Sequence, residues 1–179
     1  MIDSEMMVGT GLRITVAKDE LASKLTTVAR GVSTRTAVLV LGGIQLRAEA
    51  GRLHLAATDM EVSLRGSIDA QVADEGTVVV PGRLLLDIAR SLPDSDVSIE
   101  HRPEEAVVVV AAGTATYRLH TYSTEDFPRL PDVETLPLHS IDRDALVETI
   151  SRVGRSASRT IAWRGSDSTS GRRGKSSGE

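Results

Sequence analysis

"GTVVVPGRLLLDIARSLP", Gly76–Pro93, holds a strand, a turn and a helix in direct succession. Thr77–Val80 is a β-branched run of the kind that fills buried strands. It stops at Pro81–Gly82, two residues that punctuate secondary structure. Arg83 follows. Leu85, Ile88, Ala89 and Leu92 then recur at i, i+3, i+4 and i+7, which predicts an amphipathic helix from about Arg83. A strand, a glycine turn and a helix N-terminus often hold phosphate, so the stretch raises a functional question along with a structural one.

The pattern on either side explains where this unit belongs. Before it, "LRITVA" alternates at Leu12, Ile14 and Val16 and reads as a strand. "KDELASKLTTVARGV" reads as a helix: Asp19 and Glu20 suit the dipole of its first turn, Leu21, Leu25, Val28 and Val32 form the apolar stripe, and Gly31 ends it. "GIQLRAEAG" and "RLHLAATD" alternate as strands. "MEVSLRGSIDAQV" keeps period two throughout, with Met60, Val62, Leu64, Ile68, Ala70 and Val72 on one face, and is expected to be one long strand with a wet side. After the opening stretch come "DVSIEHR", "AVVVVAAG" and "TATYRLHTYS", three further strands. The order is β-α-β-β-β twice, an internal repeat of roughly 60 residues. The fold class is α+β: duplicated βαβββ units with antiparallel sheets, packed side by side with both helices on one surface.

"DFPRLPDVETLPLHS" is proline-rich and reads as a linker. "IDRDALVETISRVGRSASR" then begins what looks like a third unit, a helix over about 144–158 with Leu146, Ile150, Val153 and Ala157 at core spacing. The Ser/Gly-rich end, "TIAWRGSDSTSGRRGKSSGE", lacks the apolar content for a core and is expected to be disordered. Its "GKS" is not a phosphate loop: position 169 is Thr where the motif needs Gly, and no buried strand precedes it. The divisions are an extension (1–11), a first domain (12–130), a linker (131–140), the start of a second domain (141–159) and an aberrant or disordered tail (160–179).

Composition narrows the function. The 179 residues are 40% apolar but only 2% aromatic, so Val, Leu, Ile and Ala must make the core. The absence of cysteine excludes disulfides, thiolate catalysis and Cys-type zinc sites. Four scattered histidines, His54, His101, His120 and His139, have no metal-ligand spacing, so neither metal nor cofactor is expected. No apolar stretch approaches ~18 residues, and the N-terminus lacks the basic segment of a signal peptide; a cytoplasmic protein with no membrane partner is expected. No GxSxG or Ser/His/Asp arrangement suggests an enzyme. Asp59 and Glu61 read as a strand start and its wet face, Asp142 and Asp144 as N-terminal helix acids.

The net charge is −4, unlike a protein that coats nucleic acid, yet the cations are not evenly spread. On helical wheels Arg152, Arg155 and Arg159 lie opposite the third helix's core stripe. Arg83 and Arg90 are two turns apart on the second helix, with Asp87 between them, and Lys24 lies off the first helix's stripe, with Arg30 and Arg35 following. For any single helix these are ordinary solvated arginines, and Arg83–Asp87–Arg90 is equally readable as helix ion pairs. Repeated on helices that share one surface, they form a cationic layer without base-reading side chains, suited to a phosphate backbone of any sequence.

Taken together, "LRITVAKDELASKL", "LAATDMEVSLRG", "TVVVPGRLLLDIARSLP" and "YSTEDFPRLP" resemble the bacterial β sliding clamps, the beta subunits of DNA polymerase III, over about Leu12 to Arg159. The resemblance implies a DNA-clamp fold: each domain a duplicated βαβββ unit, three domains to a subunit, and two subunits closing a ring whose helices surround double-stranded DNA. It implies a non-catalytic processivity factor in DNA replication, with the polymerase, the clamp loader and a second subunit as partners. It implies DNA contacts from Arg35 after the first helix, from Arg83 after "VP", and from Arg159, and it answers the opening question with DNA phosphate in place of a nucleotide pocket.

The chain departs from the family where "RTAVLVL" replaces an "RPTLPIL"-like stretch. It departs again after Arg159, where strands of a second domain are expected and the tail stands instead. On this reading the chain is truncated and lacks both the third domain and the peptide pocket between the second and third. Two rivals remain: a short monomeric DNA-binding or clamp-modulating module, and an unrelated α+β enzyme that uses the Pro81–Arg83 turn for a phosphorylated substrate.

Overall fold

The computed structural model describes residues 11–33, 38–93, 95–130 and 140–166, the last of these by backbone alone from residue 155. The chain divides into two units, Met1–Asp132 and Val133–Glu179. The first contains β1 (Arg13–Ala17), α1 (Lys18–Val28), β2 (Gly43–Glu49), β3 (Arg52–Thr58), β4 (Ser63–Asp69), β5 (Gln71–Asp74), β6 (Gly76–Pro81), α2 (Gly82–Ser91), β7 (Asp96–Arg102), β8 (Val107–Ala112) and β9 (Ala115–His120). The second is represented by α3 (Arg143–Ser166).

The strands form two antiparallel sheets, ordered β4-β3-β2-β6 and β5-β1-β7-β8-β9. The two βαβββ repeats therefore trade their first strands. β1 pairs with β7 of the second repeat, Ile14 opposite Ile99, and β6 pairs with β2 of the first, Leu46 opposite Val78. This exchange makes one core of two repeats. Ile44, Leu46, Leu53 and Leu55 from one sheet, Ile14, Ile99, Val108 and Val110 from the other, and Leu21, Leu25, Leu85 and Ile88 from the helices belong to a single buried cluster. α1 packs on β3 and β4, α2 on β2 and β6, and the helices touch each other, so both cover one side of the four-stranded sheet, as the repeat predicts.

The long strand expected from Met60 to Val72 is two strands. β4 stays in the four-stranded sheet, while β5 crosses to the other and pairs with β1. Ala70 separates them, its amide bonded to the Gly51 carbonyl at 3.0 Å. Period two survives the break because each half still buries alternate residues. It fails at the start: Met60, at φ +77°, and Val62 are exposed in a tight turn, away from the core. Asp59 builds that turn by accepting hydrogen bonds from the amides of Glu61 (3.0 Å) and Val62 (2.7 Å), which hold its carboxyl below the usual carboxylate range.

The start of the proline-rich stretch after β9, inside the 12–130 division, packs on the first unit although its prolines alone read as a linker. Phe127 is buried with Val40 and Val79, and Tyr122 and Leu130 pack beside them. The Tyr122 amide bonds the Val79 carbonyl at 2.8 Å. Asp126–Leu130 thus belongs to the first unit, docked on the outer face of β6; residues 131–139 lie outside the described residues.

The third helix is longer than expected. Residues 160–166, assigned above to a disordered tail, continue α3; 167–179 lie outside the described residues. Asp142 caps the helix by accepting the Ala145 amide at 2.8 Å. Its apolar stripe is exposed: Ile150 is 61% and Val153 62% accessible.

Candidate nucleic-acid interface

The helix layer is built on close approaches that only small residues permit. At the start of α2, a Cβ on Gly82 would stand 2.7 Å from Ile44 Cγ1 and 2.8 Å from Val32 Cγ2. The helix is thereby pressed onto β2. Leu85, Ile88 and Ala89 complete its buried face, and Arg83 turns outward at the first turn. No ion pair or hydrogen bond involves the Arg83 side chain among the described residues. Arg90 lies seven positions on, about 10 Å along the same face. It does not pair with Asp87: its Nη2 donates to Thr26 Oγ1 of α1 at 3.2 Å. Thr26 in turn donates to the Ala22 carbonyl at 2.8 Å. A guanidinium is thus held at the seam between the helices by a neutral partner, and its charge is not cancelled.

Lys24 occupies the other flank of α1. Its aliphatic stem crosses Gly66 of β4, where a Cβ would stand 2.5 Å from Lys24 Cδ. A long cation packed along an apolar surface keeps its head in solvent. Arg83 and Arg90 therefore share one face of α2, Arg90 is tied to α1, and Lys24 sits across α1 from them. Arg35 falls outside the described residues. In the second unit Arg152 is exposed and pairs with Glu148, one turn earlier. Arg155 and Arg159 lie on α3, with side chains outside the described residues.

Two contributors to this layer escaped the sequence patterns. Thr26 lies off every stripe, and its partnership with Arg90 depends on the helices being neighbours. Gly66 carried a signal, since a glycine inside a strand marks a close approach, though not what approaches. The exposed strand positions of the two sheets in the first unit are polar in a different way. There the ion pairs are internal: Arg13–Asp74 at 3.6 Å, Arg52–Asp69 at 3.5 Å, and Arg102–Glu100 at 2.9 Å, the last lowering the Glu100 pKa and raising that of Arg102. Chemically, the helix layer offers uncancelled cations at spaced positions. Among the described residues no group of His, Asp or Glu could hold a metal ion, and no helix is long and apolar enough to cross a membrane.

Strand-exchanged βαβββ repeats, with paired helices on one surface and antiparallel sheets behind them, define a DNA-clamp fold. Residues 12–131 match the family model described as DNA polymerase III beta subunit, N-terminal domain, and the chain belongs to that family, the bacterial β sliding clamps. It is 42% identical over 122 residues to the beta sliding clamp of Streptomyces coelicolor, covering 68% of this chain and 32% of that one. It is 36% identical over 151 residues to the beta sliding clamp homolog GriR of Streptomyces muensis, covering 84% and 40%. Among solved structures, a C. crescentus beta sliding clamp superposes with a TM-score of 0.66 at 29% identity, over 69% of this chain and 33% of that one. A sliding clamp from Pseudomonas aeruginosa bound to griselimycin gives 0.64 at 34%, over the same shares. The chain spans about a third of the length of these relatives.

Proposed function

We propose that this chain supplies the inner-wall surface of a sliding clamp, a non-catalytic processivity factor for DNA replication, and that its helix layer faces duplex DNA. The observation that carries the reading is the pairing of α1 and α2 on one side of the fold, with Arg83 free of carboxylates and Arg90 bonded to Thr26 alone. In a chain of net charge −4, Arg83 and Arg90 keep one face of α2 cationic without an ion pair to the Asp87 that lies between them. Arg83, Arg90 and Lys24 are the contacts proposed in the first unit, joined by Arg35 in the loop after α1 and by Arg152, Arg155 and Arg159 on α3. The proposed contacts are to phosphate, with no Asn or Gln beside them to read a base edge, so binding is indifferent to sequence.

The partners follow from the same reading. β9 is a sheet edge with unpaired main-chain groups, suited to a second clamp subunit; DNA polymerase III and its loader are the expected partners of the assembled ring in the cytoplasm. Fluorescence anisotropy on duplexes of unrelated sequence across a salt series tests the DNA assignment. The expected result is equal affinity for all duplexes, with log Kd rising steeply with log salt. A tenfold preference for one sequence would remove the backbone-contact assignment.

A further inference from the structure

The face of the four-stranded sheet opposite the helices bears a groove of about 810 Å³. Its floor is the outer side of β2, β3 and β4. Cross-strand register places Gln45, Ala56 and Arg65 in one row, and Arg47, His54 and Ser67 in the next. Ala56 and Ser67 are small and leave a trough between the cationic side chains. One wall is the Thr124–Leu130 segment, which stands because Phe127 is anchored on Val79 and Val40. The wall adds Arg129, and Pro128 and Leu130 contribute apolar surface.

Charge in the groove is unevenly satisfied. Arg47 is paired with Glu49. Arg65 and Arg129, both exposed, have no ion-pair or hydrogen-bond partner among the described residues, and Glu125 is the remaining carboxylate in the lining. A continuous nucleic-acid backbone fits less well, because its regularly spaced phosphates would have to pass Glu49 and Glu125, whereas a peptide can place carboxylates at Arg65 and Arg129 alone, and no exposed aromatic in the lining offers a stacking platform.

We propose that this groove is a docking site for an extended acidic segment of a partner protein, with carboxylates on Arg65 and Arg129 and one apolar side chain against Pro128 and Leu130. The site is separate from the helix layer, so a partner seated there leaves the proposed DNA surface free.

The test uses the full chain and a fluorescein-labelled peptide of Asp, Glu and Ser around a central Leu, measured by anisotropy at low salt. The expected result is saturable binding that weakens at least about tenfold in Arg65→Glu and in Arg129→Glu. Both side chains are exposed, and circular dichroism checks that the variants remain folded. A peptide with the Leu replaced by Ser is expected to bind more weakly, and Arg83→Ala to bind the acidic peptide as the wild type does. Duplex DNA measured on the same variants is expected to show the opposite dependence. The proposal is overturned if the peptide fails to bind, if charge reversal leaves its affinity unchanged, if the apolar residue makes no difference, if Arg83→Ala weakens the peptide as much as Arg65→Glu does, or if Arg65→Glu weakens the duplex while sparing the peptide.

Discussion

Leu84 and Leu85 are neighbours in sequence and opposites in environment: Leu85 is 0% exposed in the core, and Leu84 is 49% exposed. Truncating each to Ala tests the phase of α2, and with it the outward aim of Arg83. A buried Leu→Ala change costs ~2–5 kcal/mol, more where the surroundings cannot collapse into the space. Around Leu85 they cannot readily do so, because one turn earlier Gly82 already brings the helix backbone against Ile44 and Val32. A loss of about 3 kcal/mol, at about 4 °C per kcal/mol for a domain of this size, lowers the Tm by roughly 12 °C. Leu84→Ala removes a half-exposed side chain and improves helix propensity, so its expected change is within ~0.5 kcal/mol, or about 2 °C. Differential scanning calorimetry of both variants beside the wild type reads the difference directly. If Leu84→Ala destabilises as much as Leu85→Ala, the helix is rotated from the orientation described, and Arg83 no longer points to solvent.

Gly66→Ala forces the Lys24 stem off β4; because that stem is flexible, stability is expected to change little while duplex affinity drops, measured by anisotropy beside a thermal melt. Phe127→Ala removes the anchor of the Thr124–Leu130 wall, and is expected to speed proteolysis near Arg129 several-fold while leaving the central sheet protected in hydrogen exchange. His101 has its pKa lowered by burial, so the unfolded chain binds a proton more readily than the folded one. Its contribution to stability is full above the unfolded value of ~6.5 and is lost as pH falls through the depressed folded value. Urea denaturation from pH 7 to pH 5 is therefore expected to show a decline that is shallower in His101→Gln.

The strand and helix stripes of the first unit were legible because each is amphipathic against one core. Leu21, Leu25 and Val28 in α1, and Leu85, Ile88 and Ala89 in α2, sit on the faces that their spacing predicts. What period two could not show is which sheet a strand joins. β4 and β5 share an alternation but part at Ala70, since the pattern records only which side is buried, and both sheets bury theirs in the same cluster. Met60 and Val62 fit the stripe by spacing, yet Asp59 captures two amides and turns the chain before β4 begins. Proline spacing suggested a linker at "DFPRLP", whereas the outer face of β6 offers Val79 to Phe127. That Arg83 and Arg90 share one face of α2 was visible in their spacing; the Arg90–Thr26 bond was not, because it joins residues 64 positions apart.

On the proposed reading DNA meets the helix layer and not the outer sheet. The most direct measurement is the salt slope of duplex binding for Arg83→Ala on α2 beside Arg52→Ala on the outer side of β3. Each phosphate contact contributes about 0.9 to the slope of log K against log salt. Arg83→Ala is expected to flatten the slope by about that amount, and Arg52→Ala, which removes a side chain already paired with Asp69, to leave it unchanged. An unchanged slope in Arg83→Ala, together with a flattened one in Arg52→Ala, would place the DNA on the sheet and contradict the account.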